Sequence, residues 1–386
     1  MARQINVALI GYKFMGKSHS NAYRQVAHFF PDIGVSPVMK VLCGRDRAGV
    51  SAAAAQFGWQ EISTDWREVV RRPDVDLIDI VTPGDSHAEI AIAAAAAGKH
   101  VFCEKPLANT VAEAEQMVEA VQKAGVRTMV AFNYRRVPAV AYARRLIDEG
   151  RIGRIYHFRA RYLQDWIMDP NFPLVWRLDK KAAGSGPLGD LGAHIIDLAR
   201  YLVGEFDEVT GMAETFIKQR PVLAATDAGL GATAGQQMGE VTVEDAAAFV
   251  ARFTNGAMGV FEVSRFAGGN KNANTFEING SKGSIRFNLE RLNELEFLDL
   301  STLAVEQGFR DIMVTDGGHP YMAAWWPAGH IIGWEHTFTH EVRDLLSAIA
   351  TGSAATPDFM DGLRIQQVLD AVERACTSHR WERVAR

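Results

Sequence analysis

Short apolar runs recur along the first third of the chain: Asn6–Ile10, Val38–Cys43, Leu77–Val81, Val101–Cys103 and Thr128–Phe132. They do not alternate with polar residues, as expected of strands buried on both faces. Helical spacing follows them, up to about Ala27 and at Ala48–Phe57, His87–Ala97 and Val111–Ala124, with Gly98 and Gly125 ending the last two. Strands alternating with helices of this length predict βαβ units and a parallel sheet. After Asn133-Tyr134-Arg135-Arg136 the pattern changes. Pro138–Glu149 predicts a connecting helix, and Ile155–Tyr162 alternates like a strand with one polar face. Further strands are predicted at Glu208–Phe216, Val241–Phe253, Met258–Arg265, Asn274–Ile278 and Gly283–Phe287, with Asn255-Gly256 marking a hairpin. Helices are expected at Thr337–Ala350 and Met360–Ala375. The reading is α/β: a domain with a parallel sheet over 1–135, then an α+β domain over 136–386 with a mainly antiparallel sheet. A chain of 386 residues suits two such cores. The Gly-, Ala- and Thr-rich stretch 224–239 reads as a mobile surface loop.

The first strand runs into Gly11-Tyr12-Lys13-Phe14-Met15-Gly16 and then a helix. A Gly-rich turn there sets backbone N–H groups and a helix N-terminus against an anion, normally a pyrophosphate. Gly11 and Gly16 fill the first and third places of the GxGxxG fingerprint, while Lys13 replaces the middle glycine that lets backbone approach the phosphates. At the end of the second strand stands Cys43-Gly44-Arg45-Asp46. An acidic residue there binds a ribose hydroxyl, and an arginine accommodates a 2′-phosphate. Asp46 favours NAD, and Arg45 leaves NADP open.

His100-Val101-Phe102-Cys103-Glu104-Lys105-Pro106 is a strand that stops at a proline, which has no N–H to extend the ladder. The turn lifts Lys105 off the carboxyl edge of the sheet, where ligands bind in open α/β folds. Much later, Gly184-Ser185-Gly186-Pro187-Leu188-Gly189-Asp190 leads into a helix carrying His194 and Asp197. Asp190 and His194 are four apart, so both project from one helical face, and a carboxylate beside an imidazole fixes its tautomer and raises its basicity. Asp–His pairs at helix starts are also common without catalytic meaning.

The order of these pieces, the Gly-rich turn, Thr82-Pro83 and His87, Gly98-Lys99-His100-Val101, Glu104-Lys105-Pro106, Asn133-Tyr134-Arg135 and Asp190-x-x-x-His194, resembles the glucose–fructose oxidoreductase / inositol dehydrogenase (Gfo/Idh/MocA) family. The resemblance spans about Val7 to Gly204. It implies a Rossmann domain, a second domain with a large open sheet often used for oligomerisation, and a catalytic set of Lys105, Asp190 and His194. It also puts Gly11, Gly16, Pro83, His87, Glu104 and Asn133 near the dinucleotide. Lys13, Phe14, Met15, Arg45, Asp46, Thr82 and Lys105 complete the expected cofactor site.

For substrate, flat aromatic faces and polar groups cluster at Tyr162-Leu163-Gln164-Asp165-Trp166, at Trp176-Arg177, and at His319-Pro320-Tyr321 with Trp325-Trp326. The expected sugar-binding residues are Tyr162, Gln164, Trp176, Arg177, Asp190, His194 and Lys105. Trp325 and Trp326 serve equally well as sugar-packing faces or as filling for the second domain's core or an oligomer interface. The Gly329-His330 and Gly333-Trp334-Glu335 stretch is similar to pyranoside-oxidising members of the family. The expectation is an NAD(P)-dependent dehydrogenase of a pyranoside or cyclic polyol. The alternatives are a glycoside hydrolase that oxidises transiently with bound NAD, and a non-catalytic binding protein.

A net charge of −5 with no Lys/Arg stripe argues against nucleic acid. No apolar run is long enough for a membrane span and no secretory leader is apparent, which with three unpaired-looking cysteines (Cys43, Cys103, Cys376) points to the cytoplasm, and the family resemblance implies a homodimer or homotetramer. No metal site is expected, His336 and His340 reading as surface helix residues.

Overall fold

The computed structural model describes residues 3–223 and 234–385. It divides into two units, one built from Met1–Arg136 with 323–326 and 332–364, the other from 137–322, 327–331 and 365–386.

In the first unit, β1 (Arg3–Ile10), α1 (Phe14–Phe29), β2 (Val35–Cys43), α2 (Arg47–Phe57), β3 (Glu61–Ser63), α3 (Trp66–Val70), β4 (Leu77–Ile80), α4 (His87–Ala96), β5 (His100–Cys103), α5 (Val111–Ala124) and β6 (Thr128–Val130) follow in order. The strands form one sheet in the order β3-β2-β1-β4-β5-β6, parallel throughout. The order reverses between β1 and β4, and that switch point is where such sheets bind ligands. The apolar runs are buried as expected, with Val7, Leu9, Leu77, Ile80 and Phe102 fully inaccessible. Helix starts are set by side chains: Asp46 caps α2, Asp65 caps α3, and Thr110 with Glu113 forms a capping box on α5.

In the second unit, β7 (Ile155–Leu163) lies centrally in a nine-stranded sheet. The sheet's other strands are β8 (Phe206–Glu214), β11 (Ala246–Phe253), β12 (Met258–Ser264), β13 (Ala273–Gly280), β14 (Gly283–Asn288), β15 (Glu294–Asp299), β16 (Arg310–Met313) and β17 (Glu382–Arg383), with β12 and β13 flanking β7. β9 (Gln219–Leu223) and β10 (Ala234–Glu240) form a separate ribbon. Among the described residues, only the β7–β12 pairing in the large sheet is parallel. Alternate residues, Phe158, Phe249, Phe261 and Phe276, stack into the buried face, which the helices Pro138–Asp148 and Ala193–Leu202 cover.

Several expectations need correction. The first unit runs to Arg136 and also takes in 332–364, a stretch expected in the second domain, because the helix Glu335–Thr351 lays Phe338, Val342, Leu345 and Leu346 on the core around β1 and α1. His340 is not on the surface: it is inaccessible, with Nδ1 donating to Arg136 O (2.9 Å) and Nε2 accepting from Trp325 Nε1 (2.7 Å). His336 is half-buried against Trp325. Trp325 itself fills the core of the first unit, packed on Phe29 and Phe30, rather than that of the second. Of the stretch 224–239 expected as a loop, 234–239 belongs to β10, and 224–233 lies outside the described residues.

Candidate active site

The turn after β1 closes onto the switch point. Gly11 has φ +111°, and a Cβ there would lie 2.7 Å from Val81 Cγ2 and 2.8 Å from the Val81 carbonyl oxygen. A Cβ on Gly16 would sit 2.7 Å from Gly11 O. Lys13 has φ −77°, outside the left-handed region, so the missing middle glycine imposes no positive-φ strain. No side chain caps α1 and its first turn holds no acidic residue, so its N–H groups and dipole face an anion without competition. This cradle fits a dinucleotide pyrophosphate. Phe14, 63% exposed, stacks on Trp334 at 5.7 Å, and Met15 packs against the core below.

At the end of β2, Asp46 accepts from Ala48 N (3.1 Å) and Gly49 N (3.0 Å), and Tyr12 Oη donates to it at 3.5 Å. The carboxylate therefore caps α2 while standing where ribose recognition is expected. Arg45 is exposed beside it.

The ends of β4 and β5 are stitched together. Ser86 Oγ donates to Thr82 Oγ1 (2.7 Å), holding the Thr82-Pro83 turn. The buried His87 ring sets Nε2 2.8 Å from Thr82 O and Nδ1 3.1 Å from Pro106 O, so it ties that turn to the one carrying Lys105. Asn133 Nδ2 donates to Thr337 Oγ1 at 2.8 Å. Beneath lies a buried polar network that sequence reasoning missed. His19 of α1 places Nδ1 2.8 Å from Asp79 Oδ2 and Nε2 3.1 Å from Glu104 Oε1. Glu104 Oε2 accepts from Lys105 N at 3.1 Å, and Tyr23 Oη donates to Asp79 at 2.9 Å. The available signal was Asp79, a lone charge inside the apolar Leu77–Val81 run.

In the second unit, the Gly-rich stretch becomes a single π turn, Leu188–Gly192, ahead of the helix Ala193–Leu202. Such turns often mark functional sites. A Cβ on Gly186 would collide with the Glu244 carbonyl, and Glu244 Oε1 accepts from Leu188 N at 2.8 Å, which pins the turn. The turn carries Asp190, whose carboxylate receives a hydrogen bond from Arg265 Nη2. His194 is buried with its ring 5.9 Å from that of Tyr162, and Asp197 is buried farther along the helix. Tyr162 Oη donates to Asn272 Oδ1 (2.8 Å), Gln164 Nε2 donates to the same oxygen (2.9 Å), and Trp166 Nε1 donates to Gln164 Oε1 (2.8 Å). The Arg177 guanidinium lies over its neighbour Trp176 at 4.4 Å. Burial lowers the Arg177 pKa, Asp190 opposes that, and Arg265 reinforces it, which places the three charges in one neighbourhood.

Tyr162, Gln164, Arg177, Asp190 and His194 thus gather in the second unit, with Arg265 and Asn272 added by the structure. The aromatic group at 319–326 does not stay together: His319 packs on Tyr142 in the second unit, whereas Trp325 and Trp326 pack on Phe29 in the first. Among the described residues no group of His, Cys, Asp or Glu is disposed to hold a metal, and no helix is long and apolar enough to cross a membrane.

Residues 5–132 match the oxidoreductase family with an NAD-binding Rossmann fold, and residues 140–286 match the GFO/IDH/MocA C-terminal domain. Levoglucosan dehydrogenase of Pseudarthrobacter phenanthrenivorans is 45% identical over 98% of both chains. A solved levoglucosan dehydrogenase in complex with NADH and levoglucosan superposes with TM-score 0.94 at 45% identity, covering 100% of each chain. An oxidoreductase domain protein from Kribbella flavida does so with TM-score 0.94 at 54% identity, again covering 100% of each chain. The Rossmann strand order, the glycine cradle at its switch point and these full-length likenesses agree: the chain is an NAD-binding oxidoreductase of the Gfo/Idh/MocA family.

Proposed function

We propose that this enzyme oxidises a secondary hydroxyl of a pyranoside sugar. The observation that carries this reading is the full-length likeness to levoglucosan dehydrogenase, and the sequence motifs carrying Lys105, Asp190 and His194 support it. NAD, when bound, accepts the hydride. Gly11, Gly16 and the start of α1 would hold its pyrophosphate, Asp46 its ribose hydroxyls, and the Thr82-Pro83 turn would lie beside it. His194 takes the hydroxyl proton, imidazole being the side chain whose ordinary pKa lies nearest neutrality. Lys105 holds the same oxygen and stabilises its developing negative charge. Asp190 orients His194 and accepts from a neighbouring sugar hydroxyl. Tyr162, Gln164, Trp176 and Arg177 shape the sugar pocket, the ring faces packing on C–H bonds and the polar groups reading hydroxyls.

Glycosides, free sugars and inositols offered with NAD and with NADP, followed at the absorbance band of the reduced nicotinamide, test this. Net NADH formation with a pyranoside is expected, and Lys105→Ala or His194→Ala should each lower turnover at least about a hundredfold. Glycosidic cleavage without NADH accumulation would overturn net oxidation in favour of a hydrolase, and near-normal turnover in either variant would overturn the residue roles. The named relatives are a dehydrogenase and an oxidoreductase, which favours the first outcome. A homodimer or homotetramer would cover Met212, Met258 and Val260, which stand exposed on one face of the nine-stranded sheet. A sedimentation mass of two or four chains is expected.

A further inference from the structure

We propose that His19 is a positioning residue that sets where Lys105 leaves the sheet and ties that point to the dinucleotide-binding helix. The inference rests on the reading of Lys105 as the group that holds the substrate oxygen. It comes from three elements meeting at one ring. His19 stands within the first turns of α1, Asp79 is in β4, and Glu104 directly follows β5. Both ring nitrogens are taken up by carboxylates, at 2.8 and 3.1 Å. The ring is inaccessible, stacked on Phe102 (4.9 Å) and tilted against Phe338 (5.5 Å).

Two carboxylates brought this close in a dry core repel each other and lose hydration, so they need a cation between them. His19 is the group placed to supply it, and its neighbours raise its pKa to about 10 against the opposing effect of burial. Tyr23 donates to Asp79 from the other side, its own pKa pushed well above the ordinary value by burial and by Asp79 and Glu341. The bridge then continues to the catalytic edge. Glu104 presents one oxygen to His19 and the other to the backbone N–H of Lys105. With its backbone held by Ile80 O at 2.8 Å, Glu104 is fixed at both ends. The route from α1 to Lys105 is therefore ring, carboxylate, peptide, with no flexible link.

A buried ionic cluster that serves stability alone would lower the melting temperature when broken and leave the chemistry untouched. Coupling to Lys105 separates the two roles. His19→Gln keeps a hydrogen bond to one carboxylate without the charge, and Glu104→Gln keeps the shape of the other end. Each is made in the wild-type and in the Lys105→Met background. The melting temperature, the NADH dissociation constant from bound-nucleotide fluorescence, and kcat and KM for the sugar are measured well below melting. The expected result is a fall in kcat of about tenfold or more in the wild-type background, the scale of a misplaced catalytic group. NADH affinity should change little, and residual turnover in the Lys105→Met background should change less than about twofold. Unchanged kcat in both variants would overturn the proposal, as would an equal loss in both backgrounds. Full activity of Lys105→Met alone would instead remove the Lys105 reading on which it stands.

Discussion

The Arg265 guanidinium, buried just past the end of β12, donates through Nη2 to the Asp190 carboxylate and lies 5.2 Å from the Trp166 ring. The relationship is asymmetric. The arginine is almost wholly inaccessible, whereas 37% of the Asp190 side chain is exposed. Asp190 therefore turns an open edge towards solvent while its charge is balanced from below.

Asp190 should for that reason matter to folding as well as to turnover. Asp190→Ala leaves a buried guanidinium without its carboxylate, and breaking such a pair from one side is costly. The exposure of Asp190 softens the effect, so a loss of about 2 kcal/mol is expected, with turnover abolished. Adding Arg265→Met should restore the melting temperature but not the activity. Calorimetric melting of the single and double variants checks this, and a double variant as unstable as Asp190→Ala would show that the ion pair is not the cause.

The switch-point glycine gives a second prediction. At φ +111° and with Val81 atoms within 3 Å of any Cβ, Gly11→Ala combines an unfavourable backbone with a collision against main chain. A loss on the order of 1–3 kcal/mol is expected from the backbone alone, with NADH binding undetectable by fluorescence titration. Lys13→Gly, whose backbone lies at φ −77°, should bind NADH within about threefold of wild type, since the change removes only one exposed charge.

Much of this was legible from the chain. The parallel sheet was readable because fully buried strands carry unbroken apolar runs, and the glycine turn because φ +111° beside a neighbouring strand admits nothing else. Several strands were missed for physical reasons. β3 and β17 are only three and two residues long, and β9 and β10 form a ribbon outside the large sheet with little apolar alternation. The π turn at Asp190 depends on Gly186 passing against Glu244, a contact 58 positions away that no local pattern encodes. His340 was misplaced because its partners, Arg136 O and Trp325, come from elsewhere in the chain, so an apparently exposed polar helix position became a satisfied core one. Arg265 ends one predicted strand and Asn272 stands just before the next, each as an ordinary polar residue, and only the folded chain brings them to Asp190 and Tyr162.

That buried His340 makes stability pH-dependent in a defined direction. Burial is the main cause that lowers its pKa to about 3, and the Trp325 N–H on Nε2 holds it as the neutral tautomer. In unfolded chain the same group titrates near 6.5. Between those values the unfolded state takes up a proton that the native state refuses, so stability falls as pH drops from about 6.5 towards 3. The contribution is complete above 6.5 and amounts to on the order of 4 kcal/mol across the window. His340→Gln can still donate to Arg136 O and accept from Trp325. It should flatten the acid limb of a melting temperature–pH curve, and an unchanged limb would assign the acid sensitivity to other groups.

Cofactor choice can be separated from helix capping at a single position. The Asp46 carboxylate accepts from Ala48 N and Gly49 N, so Asp46→Ala would lose the α2 cap, about 1 kcal/mol, together with the charge. Serine is as good a cap as aspartate and is neutral, so Asp46→Ser removes the charge alone. A negative charge there repels a 2′-phosphate and accepts from a ribose hydroxyl, and Arg45 stands next to it in sequence, exposed. Wild type should therefore bind NADH more tightly than NADPH. Asp46→Ser should melt within a degree or two of wild type while shifting the ratio towards NADPH by about tenfold, the value of one such charged contact. Fluorescence titration with both reduced nucleotides measures the ratio. An unaltered ratio would mean that the carboxylate serves the helix and not the ribose, and would move the source of cofactor selectivity to Tyr12, whose hydroxyl lies 3.5 Å from the same carboxylate.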